Sequence, residues 1–271
     1  MRTAFKERVD RLIWATARDK SLIGRIPKKT LARLRGLSLE QQVALGALPR
    51  PFYAYCAIRG SELATRLGYR EVTWVEFGVA GGNGLLALEQ IKQAVEAQLP
   101  IKVHITGFDL GSGLPTPQDY RDLPYHWQGG FYEMDVDALR SRLRHAQLAL
   151  GPVAETLPKW TPAAPIGMVS FDLDYYSSTL EALKIFDQNV LPRVWCYFDD
   201  IAGTAEAFSD YTGVRLAVHE YNQGRRKLSA CHDFELYGPD TWHEKIMIHH
   251  DFDHPRYTEF VGVGATQIPL M

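Results

Sequence analysis

Acidic residues directly follow two apolar runs in the second half of the chain. Asp172 follows GMVSF, and Asp199 and Asp200 follow VWCYF. The separation of Asp172 and Asp199 along the chain is the length of one strand–helix–strand connection. Such a connection places two parallel strands side by side, about 4.8 Å apart. Three carboxylates at one sheet edge repel each other unless their pKa values rise or a divalent cation binds among them. The spacing therefore predicts a metal site, and oxygen ligands favour Mg²⁺ first, with Mn²⁺ or Ca²⁺ behind it.

A glycine-rich turn follows an earlier apolar run. VTWVEF leads into residues 78–84, Gly-Val-Ala-Gly-Gly-Asn-Gly, and a helical pattern comes next. A strand, a glycine turn and a helix together let a ligand approach bare backbone at a helix N-terminus. The cofactor-binding candidates in this glycine turn are Gly78, Val79, Ala80, Gly82 and Asn83.

The acid next to the glycine turn favours S-adenosylmethionine (SAM) over a dinucleotide, and a second acid offers a contact to a ribose. Glu76 precedes the first glycine of the turn, whereas a nicotinamide site keeps its acid at the end of the second strand. A carboxylate at that place would offset the positive sulfonium and ammonium groups of SAM. Asp109 ends the second predicted strand, where a carboxylate accepts hydrogen bonds from both hydroxyls of a ribose.

From about residue 70, short β-rich runs alternate with amphipathic stretches, a pattern typical of βαβ units and a parallel sheet. The predicted strands cover 72–77, 103–108, 146–150, 167–171, 194–198 and 245–252, and the predicted helices cover about 83–98 and 178–189. Ligands of such sheets bind where the strand order reverses, and we expect the first and fourth strands to flank that point. The donor and the cation would then face each other across one crevice.

Three residues are candidates for the chemistry at this crevice. A hydroxyl beside the cation would lose its proton more easily and lie in line with the donor's methyl group, which gives Asp172 a catalytic role. Asp174 is either a general base or a residue that orders the turn after the strand. His126 lies in segment 111–131, which is rich in Pro, Gly and aromatic residues and typical of a functional lid or an insert.

Five segments identify a family resemblance. EFGVAGGNG, GFDLGSGLP, GPVAETLPKW, FDLDYYSST and YFDDI occur in this order between about 70 and 205 and resemble the macrocin O-methyltransferase family of metal-dependent class I methyltransferases. The resemblance implies SAM as donor, Mg²⁺ held by Asp172, Asp199 and Asp200, ribose contacts at Asp109, and an acceptor hydroxyl on a small molecule, often a sugar of a natural product. It also places Gly151 and Asp172 among the cofactor-binding candidates.

The sequence departs from the family pattern at two positions. Leu173 replaces the glycine between the two aspartates, and Ser177 replaces an acid. We accordingly predict a doubly wound, mostly parallel, seven-stranded α/β sheet of Rossmann-like type at 70–271, with an N-terminal helical extension at 1–69.

Composition restricts the other function classes. The chain has 271 residues with a formal net charge of −2, which argues against a nucleic-acid partner. No apolar run reaches the roughly 18 residues of a membrane span, and the N-terminus lacks the apolar core of a signal peptide. Three dispersed cysteines without a CxxC motif indicate a reducing, cytoplasmic compartment. Residues 1–50 are strongly basic, and we expect a homo-oligomer that forms through the N-terminal helices.

Other functions stay open at this point. The first is a metal-independent small-molecule O- or N-methyltransferase with His126 or Asp174 as base. The second is a nicotinamide-dependent dehydrogenase, and the third is a binding module without activity. The run HHDFDH at 249–254 resembles a metal motif, but strand alternation separates His249 and Asp251 from His250, so it serves one ion poorly.

Overall fold

The computed structural model describes residues 11, 13–15, 36–202, 209–231 and 245–262. These residues form one mixed sheet whose strands are β1 (Glu71–Phe77), β2 (Lys102–Asp109), β3 (Ala146–Leu150), β4 (Ile166–Phe171), β5 (Val190–Phe198), β6 (Lys227–Ala230) and β7 (Ile246–His250). Their order across the sheet is β3-β2-β1-β4-β5-β7-β6. Strand β7 runs antiparallel to β5 and β6, and the pairs among β1 to β5 are parallel.

Helices cover both faces of this sheet. They are α1 (Leu39–Ala44), α2 (Pro51–Arg66), α3 (Asn83–Gln98), α4 (Val136–Arg142), α5 (Val153–Thr156), α6 (Tyr176–Ala182) and α7 (Gly213–Tyr221). Adjacent residues of β1 show the two layers, because successive side chains of a strand point to opposite faces. Trp74 packs in the core that contains α2 and α3, whereas Val75 packs in the core that contains α6 and α7. The doubly wound architecture is therefore confirmed.

The strand order reverses between β1 and β4, as predicted. Strand β1 pairs with β2 on one side and with β4 on the other, and β4 pairs with β5. Strand β4 is buried along its whole length, which explains its mostly apolar sequence. The carboxyl ends of β1, β4 and β5 consequently lie next to one another at one edge of the sheet.

Two local predictions need correction. The helix predicted at 178–189 begins two residues earlier as α6 and continues as a 3₁₀ helix over Leu183–Asp187. Strand β6 was not predicted, because it has four residues and only Leu228 among them is buried. A run this short carries no readable alternation.

Helix α2 packs directly on β4 and β5. A Cβ on Gly60 would overlap the carbonyl oxygen of Gly167 in β4, so bare helix backbone touches bare strand backbone at this point. This helix lies within the segment that the sequence analysis assigned to an N-terminal extension. The boundary at residue 69 stays a prediction, but α2 forms a layer of the α/β fold.

Most of segment 1–35 lies outside the described residues. Of this segment, Ile13 is buried with Leu37, Ala44 and Leu45 in a small separate cluster. Within the ranges that the structure covers, we find no helix with the length and apolar character of a membrane span.

Candidate active site

A cavity of about 480 Å³ opens at the carboxyl ends of β1, β2, β4 and β5. This volume is within the range of roughly 300–1,000 Å³ that is usual for small-molecule sites. Most of the predicted site residues line it: Glu76, Gly78, Val79, Ala80, Asn83, Asp109, Gly151, Asp172, Asp174, Asp199 and Asp200. Gly82 and His126 are not among the lining residues.

The glycine turn lies directly against the end of β4. Gly78 has φ +80°, and a Cβ there would overlap the carbonyl oxygen of Asp172. The Asp172 N–H donates to the Phe77 carbonyl at 2.9 Å. Gly82 also has a positive φ, and a Cβ there would overlap the Leu139 side chain. Gly82 therefore fits the turn against α4, whereas Gly78 joins the turn to the residue predicted to bind metal.

Asp109 holds the glycine turn in shape. Its Oδ2 accepts the N–H groups of Val79 at 2.8 Å and Ala80 at 2.9 Å, and its Oδ1 accepts the N–H of Gly111 at 2.6 Å. Ala80 has φ +44°, an unusual conformation for a residue with a side chain, which this bond stabilises. A carboxylate has about four acceptor positions, so these three bonds leave Asp109 able to accept from a ligand. Its contact with a ribose stays a prediction.

Glu76 is a buried acid with an incomplete set of partners. Its side chain is 1% exposed, and its Oε1 accepts the Tyr53 hydroxyl at 2.8 Å. Its Oε2 has no hydrogen-bond partner among the described residues. Burial raises the pKa of Glu76 to about 8, although the Tyr53 hydroxyl and Arg50 lower it. Because an unsatisfied buried acceptor is costly, this cavity fits the positively charged end of a ligand such as SAM.

We use the name acidic cluster for three residues, Asp172, Asp199 and Asp200. One carboxylate oxygen of each lies within 4.8 Å of those of the other two. The neighbouring strands β4 and β5 bring them together, as the sequence predicted. Burial, with repulsion from Asp199 and Asp200, raises the pKa of Asp172 to about 7. Burial, with repulsion from Asp174 and Asp199, raises the pKa of Asp200 to about 8. This all-oxygen set fits a hard divalent cation such as Mg²⁺.

Two further side chains contact the acidic cluster at Asp199. The Tyr197 hydroxyl donates to Asp199 Oδ1, and the Lys245 ammonium lies 3.2 Å from the same oxygen. Lys245 is itself largely buried. One positive charge therefore offsets part of the negative charge that the three carboxylates concentrate here.

Asp174 lies beside the acidic cluster in a left-handed backbone conformation, with φ +59°. Its N–H donates to Asp200 Oδ2 at 3.2 Å, and its side chain is 7% exposed. Burial, with repulsion from Asp172 and Asp199, raises the pKa of Asp174 to about 7. A carboxyl group with a pKa near neutrality is well matched to proton transfer.

His126 is not placed with the aspartates. Its side chain is exposed, and its ring packs edge-on against Trp127 with centroids 4.5 Å apart. Trp127 lines the cavity instead. Segment 111–131 therefore contributes an aromatic wall, and the geometry gives no support for His126 as a base.

Asp122 fastens this segment to the rest of the site. Its side chain is 1% exposed, and Oδ2 accepts the Gln118 N–H at 2.9 Å and the Ser177 hydroxyl at 2.8 Å. Its Oδ1 accepts the Ser177 N–H at 2.8 Å. Ser177, noted only as a departure from the family pattern, thus anchors the loop to the first turn of α6.

Arg50, Tyr53 and Tyr132 are among the site residues that the sequence did not indicate. Arg50 and Tyr132 line the cavity, and Tyr53 bonds to Glu76. Arg50 and Tyr53 belong to the start of α2, far from the glycine turn in sequence. Both Arg50 and Tyr132 have positive φ values, of 44° and 63°, which no local sequence motif predicts.

The histidines of HHDFDH do not form a metal site. His249 is fully buried, its Nε2 lies 2.9 Å from the Tyr221 hydroxyl, and its ring stacks on Phe186. His250 bonds to Ser229 and Tyr257 instead. In the described ranges, the acidic cluster is the one group of three ligand residues arranged to hold an ion.

Similarity to known proteins lies in the structure. No family model matches the sequence, and no curated protein matches it. The calicheamicin methyltransferase CalS11 superposes with a TM-score of 0.51 at 19% identity, covering 85% of this chain and 93% of that chain. The O-methyltransferase NovP superposes with a TM-score of 0.50 at 16% identity, covering 72% of this chain and 78% of that chain. The chain therefore has the Rossmann-like fold of these methyltransferases, as the sequence predicted.

Proposed function

We propose that this protein is a SAM-dependent, Mg²⁺-dependent O-methyltransferase that acts on a hydroxyl of a small molecule, such as a sugar or a natural-product intermediate. One observation carries the proposal: the glycine turn and the acidic cluster line the same cavity, and Gly78 touches the backbone of Asp172. A methyl donor and a cation held there would be neighbours. The methyltransferase names of the two structures with this fold support the same activity.

The residues around the glycine turn would hold the donor, which supplies an electrophilic methyl group. The backbone from Gly78 to Asn83 leaves room for close approach at the start of α3, and Asp109 would accept from the ribose. Gly151 also lines the cavity. Glu76 would satisfy its unpaired Oε2 with the positive end of the donor.

The acidic cluster would hold the cation, which lowers the pKa of a hydroxyl next to it. Asp174 is the residue of this chain that is placed to accept the proton of that hydroxyl, because it is buried beside the acidic cluster with its pKa raised to about 7. Trp127 and Tyr132 line the cavity with aromatic surface, which packs well on sugar and aryl rings and excludes water.

Binding and activity measurements test this function together. We expect S-adenosylhomocysteine to bind in calorimetry and NADH to show no binding. We also expect methyl transfer from labelled SAM to hydroxylated small molecules to stop with EDTA and return with added Mg²⁺. Binding of NADH in place of S-adenosylhomocysteine would instead support a dehydrogenase, and a lack of both would support a binding module.

A metal-independent methyltransferase is the second candidate. For this candidate, the position of Asp174 favours Asp174 as the general base over His126. Its expected result is methyl transfer that persists in EDTA and is lost in Asp174→Asn. A substrate panel that includes amines distinguishes O- from N-methylation.

The compartment and the oligomeric state of the protein are also proposals. All three cysteines are buried free thiols, which suits a reducing cytoplasm. We propose a homo-oligomer through the basic N-terminal segment, without nucleic-acid or membrane partners. Light scattering on the full chain should show a mass above that of one 30.7 kDa chain.

A further inference from the structure

Arg50 occupies a costly position on the cavity wall. It is the residue before Pro51 at the start of α2, and its backbone is left-handed, with φ 44° and ψ 75°. Residues that cap a helix usually have a short side chain that accepts a hydrogen bond, and Arg50 makes no such bond. Capping therefore does not explain an arginine here, and unusual backbone conformations of this kind collect at functional sites.

The guanidinium of Arg50 lines the cavity and has no ionic partner in the described ranges. Its one contact in the described part of the chain is the Tyr53 ring, whose centroid lies 4.9 Å from Cζ. Glu76 and Asp172 are near enough to attract its charge. Neither carboxylate forms a salt bridge with it, so its hydrogen-bond donors are available to a ligand.

Tyr53 connects this cation to an acid with one unpaired oxygen among the described residues. Its ring supports Arg50, and its hydroxyl donates to Glu76 Oε1. Glu76 Oε2 is buried and accepts no hydrogen bond from the part of the chain that the structure describes. A guanidinium and a carboxyl group thus face one cavity, and the same tyrosine contacts both. A zwitterion with a carboxylate and an ammonium on one carbon matches such a pair.

We propose that Arg50 and Glu76 form a subsite for the α-amino-acid end of SAM, in which Arg50 binds the α-carboxylate. The inference rests on the proposed function, and it names a binding residue for the same site. The planar guanidinium offers two parallel donors to a carboxylate, a geometry that an ammonium does not reproduce. Glu76 would take the α-ammonium with its free oxygen.

Two ligands isolate the contribution of the amino acid. S-adenosylhomocysteine has it, whereas 5′-methylthioadenosine keeps the adenosine and the sulfur but lacks it. We expect Arg50→Met to weaken S-adenosylhomocysteine binding about 10- to 100-fold in calorimetry and to change 5′-methylthioadenosine binding less than about twofold. Arg66→Met is the matched control, because Arg66 is exposed at the far end of α2 and does not line the cavity.

Each other outcome overturns the inference. Unchanged S-adenosylhomocysteine binding in Arg50→Met would mean that Arg50 only balances the nearby acids or contacts the acceptor. An equal loss for both ligands would mean that the pocket itself is disturbed. Should Arg50→Met fail to fold by circular dichroism, Arg50→Lys keeps the charge without the two parallel donors, and it must also weaken the first ligand selectively.

The wild-type protein separates this inference from the proposed function. If wild-type protein binds neither ligand, the methyltransferase proposal itself fails. If it binds S-adenosylhomocysteine and Arg50→Met binds it equally well, only the subsite is wrong.

Discussion

The glycine turn and the acidic cluster face the same cavity, but different forces shape them. Asp109 accepts two backbone N–H groups of the turn and the N–H of Gly111, and Gly78 packs directly against the Asp172 carbonyl. In the acidic cluster, like charges lie together and their pKa values rise. The turn is thus a stable structure without a ligand. The cluster lowers stability until a proton or a cation compensates its charge, as expected for buried charges without full compensation.

Removing one carboxylate of the acidic cluster gives the largest expected effect. We expect Asp199→Asn to weaken Mn²⁺ binding by more than the roughly 10–100-fold typical of residues that support metal ligands, because it removes a ligand itself. S-adenosylhomocysteine binding should change less than about threefold. Calorimetry with each ligand measures both, with exposed Asp119→Asn as the control. A parallel loss of both affinities would show that the cluster shapes the donor pocket and holds no cation.

Adding one methyl group tests the steric side of the comparison. Gly78→Ala meets the Asp172 carbonyl and a positive φ at once, so we expect a loss of about 2–5 kcal/mol in the free energy of unfolding. Gly81→Ala, three residues on, has nothing within 4 Å of its new Cβ and should change stability by less than about 0.5 kcal/mol. Urea denaturation compares them, and equal values would remove the steric argument.

The pH dependence of stability tests the electrostatic side. Asp172 and Asp200 hold their protons in the folded state up to about pH 7–8, whereas in the unfolded chain they release them near pH 4. Raising the pH from 5 to 8 therefore favours the unfolded state, and metal-free protein should lose stability over this window.

Asp200→Asn should reduce that loss by about 1–3 kcal/mol at pH 8, because it removes one buried charge and the repulsion it exerts. Asp119→Asn is the control, since its side-chain partner Arg121 lowers the pKa of Asp119 and it does not titrate between pH 5 and 8. Thermal denaturation with and without Mg²⁺ measures the effect. A metal-free wild-type stability that does not fall towards pH 8, or an equal fall in Asp200→Asn, would contradict the prediction.

Asp122 is a hydrogen-bonded carboxylate outside the acidic cluster, and its substitution has the smallest expected effect. Asp122 accepts three hydrogen bonds, so Asp122→Ala should cost about 1–2 kcal/mol and loosen segment 111–131. Faster hydrogen exchange or proteolysis in that segment would report the change. An unaltered exchange rate would mean that the aromatic contacts of the loop are sufficient to hold it.

The sequence predicted the parts of the site that follow from topology. The handedness of strand–helix–strand connections brings Asp172 and Asp199 to one sheet edge, and the glycines mark the turn after β1. These inferences need only local patterns and one general rule. Arg50 and Tyr53 could not be found in this way, because the contact of Tyr53 with Glu76 depends on how α2 packs on the sheet.

The loop shows the other limit of sequence reasoning. Segment 111–131 has no periodicity, so tertiary contacts decide which of its side chains turn inwards. The buried Asp122 and Leu123 fix the chain such that Trp127, and not His126, lines the cavity. Residues 203–208 and 232–244, on either side of α7 and β6, lie outside the described residues.

The close approach of Gly60 to Gly167 sets how deeply α2 is seated. Gly60 lies two turns along the helix from Tyr53, about 10 Å away, and it is distant from every group that would meet a ligand. Any side chain at position 60 would raise α2 from the sheet and shift Tyr53 away from Glu76. A substitution two turns along the helix from Tyr53 would therefore change donor affinity, even though no atom of residue 60 reaches the donor.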